Sequence, residues 1–193
     1  MRIITGKLKS RKIVLPKGVE TRPTTDRTKE SVFNILEVRK GIEDAVVLDL
    51  FSGSGNLAFE AISRGAKKAL CIENNKKCAL AIESNAKNFG VQELIKVITA
   101  DVWGFVNGFA TSYDIVFADP PYDYPYMAEL VTAVVSNGWL NEEGWFILEH
   151  DARHDFSSHS HCVFAKPYGR TVVSIFLAHE VNTIEETEDE TEE

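Results

Sequence analysis

Short apolar runs and amphipathic segments alternate along the chain from about residue 45, and this alternation restricts the possible folds more than any other feature of the sequence. Residues 46–51 (VVLDLF) form an apolar run, a glycine-rich turn follows, and residues 56–64 carry apolar side chains at helical spacing before Gly65. The same order of strand and helix signals then recurs down the chain. Such an order favours a parallel sheet whose strands are joined by helical crossovers.

The complete pattern predicts seven strands. The first five cover residues 46–51, 69–73, 95–100, 113–118 and 145–150, and the helices between them cover residues 56–64, 76–88, 102–109 and 126–137. Two further β-like runs, residues 162–165 and 171–178, have no helix of useful length between them. The sequence therefore predicts an α/β fold with a seven-stranded, mostly parallel sheet, helices on both faces and a terminal antiparallel hairpin.

The charge of the chain is unevenly distributed. The formal net charge is −8, yet residues 1–40 carry eleven Lys and Arg against four Asp and Glu. Residues 1–23 mix basic and apolar side chains, which indicates a small hairpin or extended arm, and Thr24 and Thr25 are candidate caps for a following helix. Residues 181–193 contain seven acidic residues and no basic one, so we expect a flexible acidic tail. A basic extension on an acidic body gives one face a positive patch.

Length and composition exclude several classes of protein. A chain of 193 residues is the size of one ordinary domain, and no apolar run reaches the 18 residues of a membrane span. The first ten residues lack the apolar stretch of a signal peptide, so we expect a cytoplasmic protein. Cys71, Cys78 and Cys162 do not have metal-ligand spacing, and we expect neither disulfides nor a metal.

A glycine-rich loop predicts a nucleotide-type cofactor. The pattern Gly53-x-Gly55-x-x-Ala58 follows the first strand and opens a helix, where glycines allow the backbone to approach a nucleotide closely. Glu73 ends the second strand, in position to accept two ribose hydroxyls. NAD and S-adenosylmethionine both satisfy this geometry. Asp49 tilts the choice towards S-adenosylmethionine, because a carboxylate beside the loop suits a cationic methionyl ammonium and opposes a pyrophosphate.

The tetrapeptide Asp119-Pro120-Pro121-Tyr122 follows the fourth strand, at the sheet edge where open α/β folds bind their ligands. An exocyclic amine of a nucleobase is a poor nucleophile, because its lone pair is delocalised into the ring. Hydrogen bonds to the Asp119 carboxylate and the Pro120 carbonyl would favour a pyramidal nitrogen and offset its growing positive charge. The prolines stiffen the loop, and Tyr122 offers a face for base stacking. We interpret Asp119, Pro120 and Tyr122 as catalytic residues.

At this point the chain resembles a known family, the RsmD-type 16S ribosomal RNA (guanine-N2) methyltransferases. The resemblance covers roughly residues 1–178 and rests on the following motifs: MRIITGKLKSRKI at the start, TRPTTDRTKESVFNIL, LDLFSGSGNLAFEAISRGA, DPPY, ILEH and KPYGRT. It implies a Rossmann-like class I S-adenosylmethionine methyltransferase domain over residues 41–180, preceded by a small basic extension that docks RNA. It also implies that Asp49, Gly53, Gly55 and Glu73 bind the cofactor and that Asp101 accepts a hydrogen bond from the adenine amine.

The same resemblance points to 16S rRNA as the partner, within a small-subunit assembly particle, and to a monomer that methylates one guanine amine. The predicted substrate-binding residues are basic or aromatic and lie in the extension and in the last hairpin: Arg11, Lys12, Arg22, Arg27 and Tyr168. His150, at the end of the fifth strand, is either a structural histidine or a substrate contact.

Three alternatives remain open at the level of sequence. DNA adenine-N6 methyltransferases share the DPPY motif, but this chain has no insert large enough for a separate DNA-recognition domain. A nicotinamide oxidoreductase would account for the glycine loop and leave DPPY unexplained. A non-catalytic RNA-binding assembly factor would explain neither the cofactor motif nor the amine motif.

Overall fold

The computed structural model describes residues 1–16, 18 and 26–180. In this part of the chain the elements are, in order, α1 (Asp26–Arg39), β1 (Val46–Leu50), α2 (Asn56–Ser63), β2 (Lys68–Glu73), α3 (Lys76–Phe89), β3 (Ile95–Thr99), α4 (Val102–Val106), β4 (Tyr113–Ala118), α5 (Met127–Ser136), β5 (Leu140–Asp151), β6 (Cys162–Tyr168) and β7 (Thr171–Leu177).

The strands form one seven-stranded sheet in the order β3-β2-β1-β4-β5-β7-β6. The first five strands in the chain pair in parallel, and β7 lies between β5 and β6, antiparallel to both. The predicted α/β fold is thereby confirmed, including the terminal hairpin. Strand order reverses between β1 and β4, and the crevice outside the carboxyl ends of these strands is where such sheets bind ligands.

Each face of the sheet carries its own hydrophobic core. Buried side chains of α1, α2 and α3 pack on one face, where the rings of Phe33 and Phe117 lie 5.5 Å apart. The apolar residues of α4 and α5 pack on the other face together with Trp139. Because alternate strand residues point to opposite faces, Val47 belongs to the first core and Leu48 to the second. Both faces are covered, which explains the continuous apolar runs that identified the strands.

Three elements differ from their predicted extents by three residues or more, and one of them is β6, which continues to Tyr168. β5 begins at Leu140 rather than at Trp145, and its pairing with β4 shifts register before Trp145. Polar residues occupy this irregular start, so no apolar run marks it. α4 ends at Val106, three residues short of the prediction. Asn107 caps the helix and Gly108 comes next, where glycine disfavours a further helical turn.

The N-terminal segment packs on the α/β body of the chain. Arg2 and Lys12 form one antiparallel bridge, so the segment turns back on itself as a small hairpin. The backbone N–H groups of Ile4 and Thr5 donate to the Glu60 carboxylate, at 2.8 and 3.0 Å. Three apolar residues of the segment are buried in the core that α1, α2 and α3 form on one face of the sheet: Ile3, Leu8 and Ile13. The division of the chain at residue 40 stays a prediction.

A side chain at Gly6 would collide with α2. A Cβ added at this residue would stand 1.8 Å from the carbonyl oxygen of Ser63, and the residue has a φ of +84°. The hairpin therefore needs glycine here to lie against the helix. The candidate caps Thr24 and Thr25 and the proposed acidic tail, residues 181–193, lie outside the described residues.

A buried ion pair fastens α1 to α2. The Lys29 ammonium lies 3.3 Å from a Glu60 carboxylate oxygen, and both side chains are fully buried. Lys29 also donates to the Arg2 carbonyl and to the Asn56 side-chain carbonyl, at 2.9 and 2.7 Å. Glu60 in turn accepts from Arg64. Such bonds are what allow charges to remain buried. Separately, no helix in the described part of the chain is long and apolar enough to cross a membrane.

Candidate active site

A cavity of about 490 Å³ opens at the carboxyl ends of β1 to β4. Its lining includes four carboxylates, each at or just beyond the carboxyl end of a different strand. The lining comprises Met1, Asp49, Phe51, Ser52, Gly53, Ser54, Asn56, Leu57, Glu73, Asn74, Asp101, Val102, Asp119, Pro120, Pro121 and Tyr124. The predicted cofactor loop and the predicted amine loop therefore face one space.

The loop between β1 and α2 is shaped by residues with positive φ. Gly53 and Gly55 have φ values of 53° and 74°, and Phe51, which is not a glycine, has a φ of 59°. A Cβ at Gly55 would lie 3.0 Å from the Phe59 ring and 3.2 Å from Ile82. Conformation and space thus both require glycine at residue 55, and the backbone of the loop is left open to the cavity.

Asp49 lies beneath this loop and is buried. Its carboxylate accepts a hydrogen bond from the backbone N–H of Ala58, 3.2 Å away, in the first turn of α2. Burial raises the pKa of Asp49 to about 8, and the negative charges of Asp119 and Glu73 add to the rise against the lowering effect of the Ala58 bond. The carboxyl is therefore mostly protonated at neutral pH until a cation lies beside it.

Glu73 joins two loops at the end of β2. One carboxylate oxygen accepts from the Gly53 N–H at 2.6 Å, and the other accepts from the Asn75 N–H at 2.7 Å. Each oxygen keeps a second lone pair that can accept a ligand hydroxyl. Asp101 follows β3 and caps α4, because one of its oxygens accepts from the Gly104 N–H at 2.9 Å.

The chemistry of the lining fits S-adenosylmethionine. Asp49, Glu73, Asp101 and Asp119 all face the cavity, and none of the described residues that line it is Lys, Arg or His. An acidic site attracts a sulfonium and an ammonium and opposes the pyrophosphate of a dinucleotide. The glycine loop and Glu73 offer the close backbone approach and the acceptor that an adenosyl group needs.

The predicted amine loop lies across the cavity from Asp49. Asp119 is half-buried, Pro120 is buried, and both line the cavity. Tyr122 does not line the cavity. Its hydroxyl instead lies 3.3 Å from the Thr171 hydroxyl on β7. The carbonyl of Tyr122 accepts a 2.6 Å hydrogen bond from the Arg153 guanidinium.

Sequence reasoning missed two aromatic residues that line the cavity, Phe51 and Tyr124. The ring of Tyr124 meets that of Phe51 edge-on at 4.9 Å, and Trp103 stacks on Tyr126 at 4.7 Å. The Tyr124 hydroxyl is buried and has no hydrogen-bond partner among the described residues. Burial raises its pKa to about 12, and the charge of Asp101 is the next contribution. The spacing of Tyr122, Tyr124 and Tyr126 is the signal that could have pointed to Tyr124.

The predicted substrate-binding residues that the structure describes do not line the cavity. Arg11 and Lys12 are exposed on the N-terminal hairpin, where the Arg11 guanidinium lies 6.0 Å from the centre of the Phe89 ring, and Arg27 is exposed on α1. Tyr168 is half-buried in the last hairpin, with the Lys166 ammonium 5.7 Å from its ring. Arg22 lies outside the described residues.

His150 is part of the packing between β5 and β7. Its two ring nitrogens lie 2.9 Å from the Asp151 carbonyl and 2.8 Å from the Ser174 hydroxyl, and burial lowers its pKa. The structural interpretation of this histidine therefore accounts for both nitrogens. Within the described ranges, no group of three or more His, Cys, Asp or Glu could hold a metal ion.

Comparison with known proteins assigns the chain to a family. Residues 1–177 match the family described as Conserved hypothetical protein 95. The chain is 34% identical over 154 residues to the putative rRNA methyltransferase YlbH of Bacillus subtilis, covering 78% of this chain and 83% of that protein. It is 35% identical over 149 residues to ribosomal RNA small subunit methyltransferase D of Escherichia coli, covering 77% and 74%.

Solved structures agree with this assignment. The putative methyltransferase yhhF from Escherichia coli superposes with a TM-score of 0.82 at 30% identity, over 94% of this chain and 99% of that one. These matches confirm the resemblance noted in the sequence and, with it, the methyltransferase activity and the cofactor. The chain belongs to the RsmD family and is an S-adenosylmethionine-dependent methyltransferase with a Rossmann-like class I fold.

Proposed function

We propose that this protein transfers a methyl group from S-adenosylmethionine to the exocyclic amine, N2, of one guanine in 16S rRNA of the small ribosomal subunit. The observation that carries the proposal is the shared cavity, in which Asp119 and Pro120 face the same space as Asp49 and Glu73. Relatives named as rRNA methyltransferases, at 34–35% identity, support RNA as the substrate.

The cofactor, when bound, supplies an electrophilic methyl on a sulfonium. Glu73 accepts hydrogen bonds from ribose hydroxyls, and Asp101 accepts one from the adenine amine. Asp49 faces the methionyl ammonium, and the backbone at Gly53 and Gly55 lies against the nucleoside. Together these residues would hold the cofactor in the cavity that Asp119 also lines.

The target guanine must leave its base stack to reach this cavity. Its amine then donates to the Asp119 carboxylate and to the Pro120 carbonyl, which favours a pyramidal nitrogen and offsets the positive charge that develops on it. Holding amine and methyl in line provides much of the rate enhancement. The amine loses its proton after the methyl has transferred, either to Asp119 or to water.

RNA is held by the basic extension. Arg11 and Lys12 are exposed on the N-terminal hairpin and Arg27 on α1, and Arg22 lies between them in the chain. These residues pair with phosphates and position the RNA, while the cavity selects the base. Tyr168 on the last hairpin adds a stacking contact. We infer that a monomer acts on 16S rRNA within an assembling small-subunit particle.

Asp119→Ala tests the chemistry. Loss of one preorganised acceptor should lower turnover on saturating RNA by roughly 10²- to 10³-fold and leave cofactor affinity nearly unchanged. Glu142→Ala is the matched control, since this exposed carboxylate lies at the amino end of β5 and does not line the cavity. Wild-type turnover in the Asp119 variant would disprove the role of the carboxylate.

Mapping of methylated guanines tests the substrate. RNA from cells that lack the protein should be missing one N2-methylguanine in 16S rRNA, which the wild-type protein restores and the Asp119→Ala variant does not. An unchanged set of methylated guanines would refute the proposed substrate.

A further inference from the structure

We propose that Asp151, Arg153 and Thr171 form a clamp on Tyr122 and act as positioning residues for the amine loop. The proposal deepens the proposed function, because it assigns to these three residues the task of aiming Asp119 and Pro120 at the target amine. None of the three lines the cavity.

One arm of the clamp holds the backbone of the loop. The Nη2 group of Arg153 donates to the Tyr122 carbonyl at 2.6 Å. Arg153 is itself fixed by Asp151, whose carboxylate accepts from the Arg153 backbone N–H at 2.9 Å and from Nε at 2.8 Å, and also from Nη2. Both guanidinium N–H groups donate to the same oxygen, Oδ2, and these charge-assisted bonds orient the guanidinium towards the loop.

The other arm holds the side chain of the same residue. The Tyr122 hydroxyl lies 3.3 Å from the Thr171 hydroxyl. Thr171 and Asp151 are direct cross-strand partners at the last register position of the β5–β7 ladder. Both arms therefore begin at one rung of the sheet, next to the strand that carries the amine loop.

Fixing Tyr122 restrains the acceptors that precede it. Asp119 and Tyr122 are separated only by Pro120 and Pro121, whose rings lock φ. A short, stiff segment transmits displacement of one end to the other. A loop released at Tyr122 would leave the Asp119 carboxylate less well aimed, and small misplacements of reacting groups can lower rates by about 10²-fold.

The charge around Arg153 favours a clamp over a phosphate contact. Its side chain is 64% exposed, but it is paired with Asp151, and the charge of Asp123 also acts on it. Two carboxylates near one guanidinium leave no net positive charge to attract RNA. The exposed guanidinium donates to the Tyr122 carbonyl. The basic residues of the N-terminal extension remain the proposed phosphate contacts.

The proposal is tested by measuring kcat and KM on RNA for three variants: Arg153→Gln, Arg153→Lys and the charge-matched control Lys87→Gln. Arg153→Gln should lower kcat by about 10- to 100-fold while KM for RNA and the salt dependence of RNA binding stay within twofold. Arg153→Lys should recover part of the loss, because an ammonium can donate to the Tyr122 carbonyl but cannot reproduce the two guanidinium bonds to Asp151. Lys87 is exposed on α3, and its variant should match wild type.

A double-mutant cycle with Thr171→Val tests whether the two arms act together. If both restrain the same loop, the combined effect on kcat will differ from the product of the single effects. Independent effects that multiply would overturn the clamp. So would an unchanged kcat in Arg153→Gln, or a change confined to KM and the salt slope, which would make Arg153 a phosphate contact.

Hydrogen exchange on the ligand-free protein separates this inference from the proposed function. The Tyr124 N–H donates to the Pro121 carbonyl at 2.9 Å and reports on closure of the loop. Arg153→Gln should speed its exchange about tenfold, and Lys87→Gln should leave it unchanged. Equal exchange in all three proteins refutes the clamp whatever the substrate is. Faster exchange in a protein that methylates no 16S rRNA would support the clamp and refute the function.

Discussion

The buried carboxyl of Asp49 predicts that cofactor binding depends on pH and releases a proton. In the ligand-free protein the pKa of Asp49 is raised to about 8, mainly by burial. A cation bound beside it stabilises the ionised form and lowers that pKa. Binding of S-adenosylmethionine should therefore expel the proton that Asp49 carries at neutral pH.

The size of the effect follows from linkage. With a pKa of about 8, roughly nine in ten molecules carry the proton at pH 7, so binding should release about 0.9 proton there. Below the raised pKa the dissociation constant should fall about tenfold for each unit of rising pH. Above about pH 8 the carboxyl is already ionised, and this gain ends.

Calorimetric titration between pH 6 and 9, in buffers of different ionisation enthalpy, measures both quantities. The α-amino group of the cofactor titrates near the same pH, about 7.7–8.0. Asp49→Asn separates the two groups, because only Asp49 is lost: the variant should bind more weakly and show no rise in affinity from pH 6 to 7. Equal proton release by the variant and wild type would refute the reasoning.

Three further predictions concern the cofactor, the RNA and the cavity wall. Glu73→Ala should weaken S-adenosylmethionine binding by about 1.5–3 kcal/mol by calorimetry, since ribose hydroxyls lose a charged acceptor, and tight NAD binding instead would contradict the cofactor assignment. Replacing Arg11, Lys12 and Arg22 by alanine should flatten the plot of log K for RNA against log salt by up to about two to three units, with cofactor affinity unchanged, whereas parallel plots would exclude the hairpin as the docking surface. Tyr124→Phe should leave the free energy of unfolding of the ligand-free protein unchanged or raise it in urea titrations, because it removes a buried hydroxyl without a described partner, and a clear loss would reveal a partner for that hydroxyl.

The sequence was most informative where one strong local signal determines structure. Apolar runs identified all seven strands, and positive φ at Gly55 matches the glycine pattern that predicted the cofactor loop. The irregular start of β5 was not predicted, because most of its residues are polar. The burial of Lys29 and Glu60 could not be predicted either, because charged residues are almost never fully buried unless they are paired. These two residues are 31 positions apart, so no local sequence pattern shows that they pair.

The amine loop shows the other limit of sequence reasoning. The motif predicted that Asp119 and Pro120 act beside the glycine loop, and both residues line the same cavity as that loop. It could not show that Tyr124 lines the cavity while Tyr122 bonds towards Thr171, because the direction of side chains in a loop depends on strands that are distant in sequence. The wall of the site is thus a product of tertiary packing.

The buried pair of Lys29 and Glu60 also sets an order of events during synthesis of the chain. Lys29 leaves the ribosome well before Glu60, so α1 cannot bury its ammonium until α2 has emerged. The N–H groups of Ile4 and Thr5 donate to the same carboxylate, so these hydrogen bonds also form only after Glu60 has emerged. The N-terminal hairpin is therefore synthesised before the carboxylate to which it docks. A nascent chain stalled before residue 60 should leave its N-terminal hairpin undocked and open to proteases.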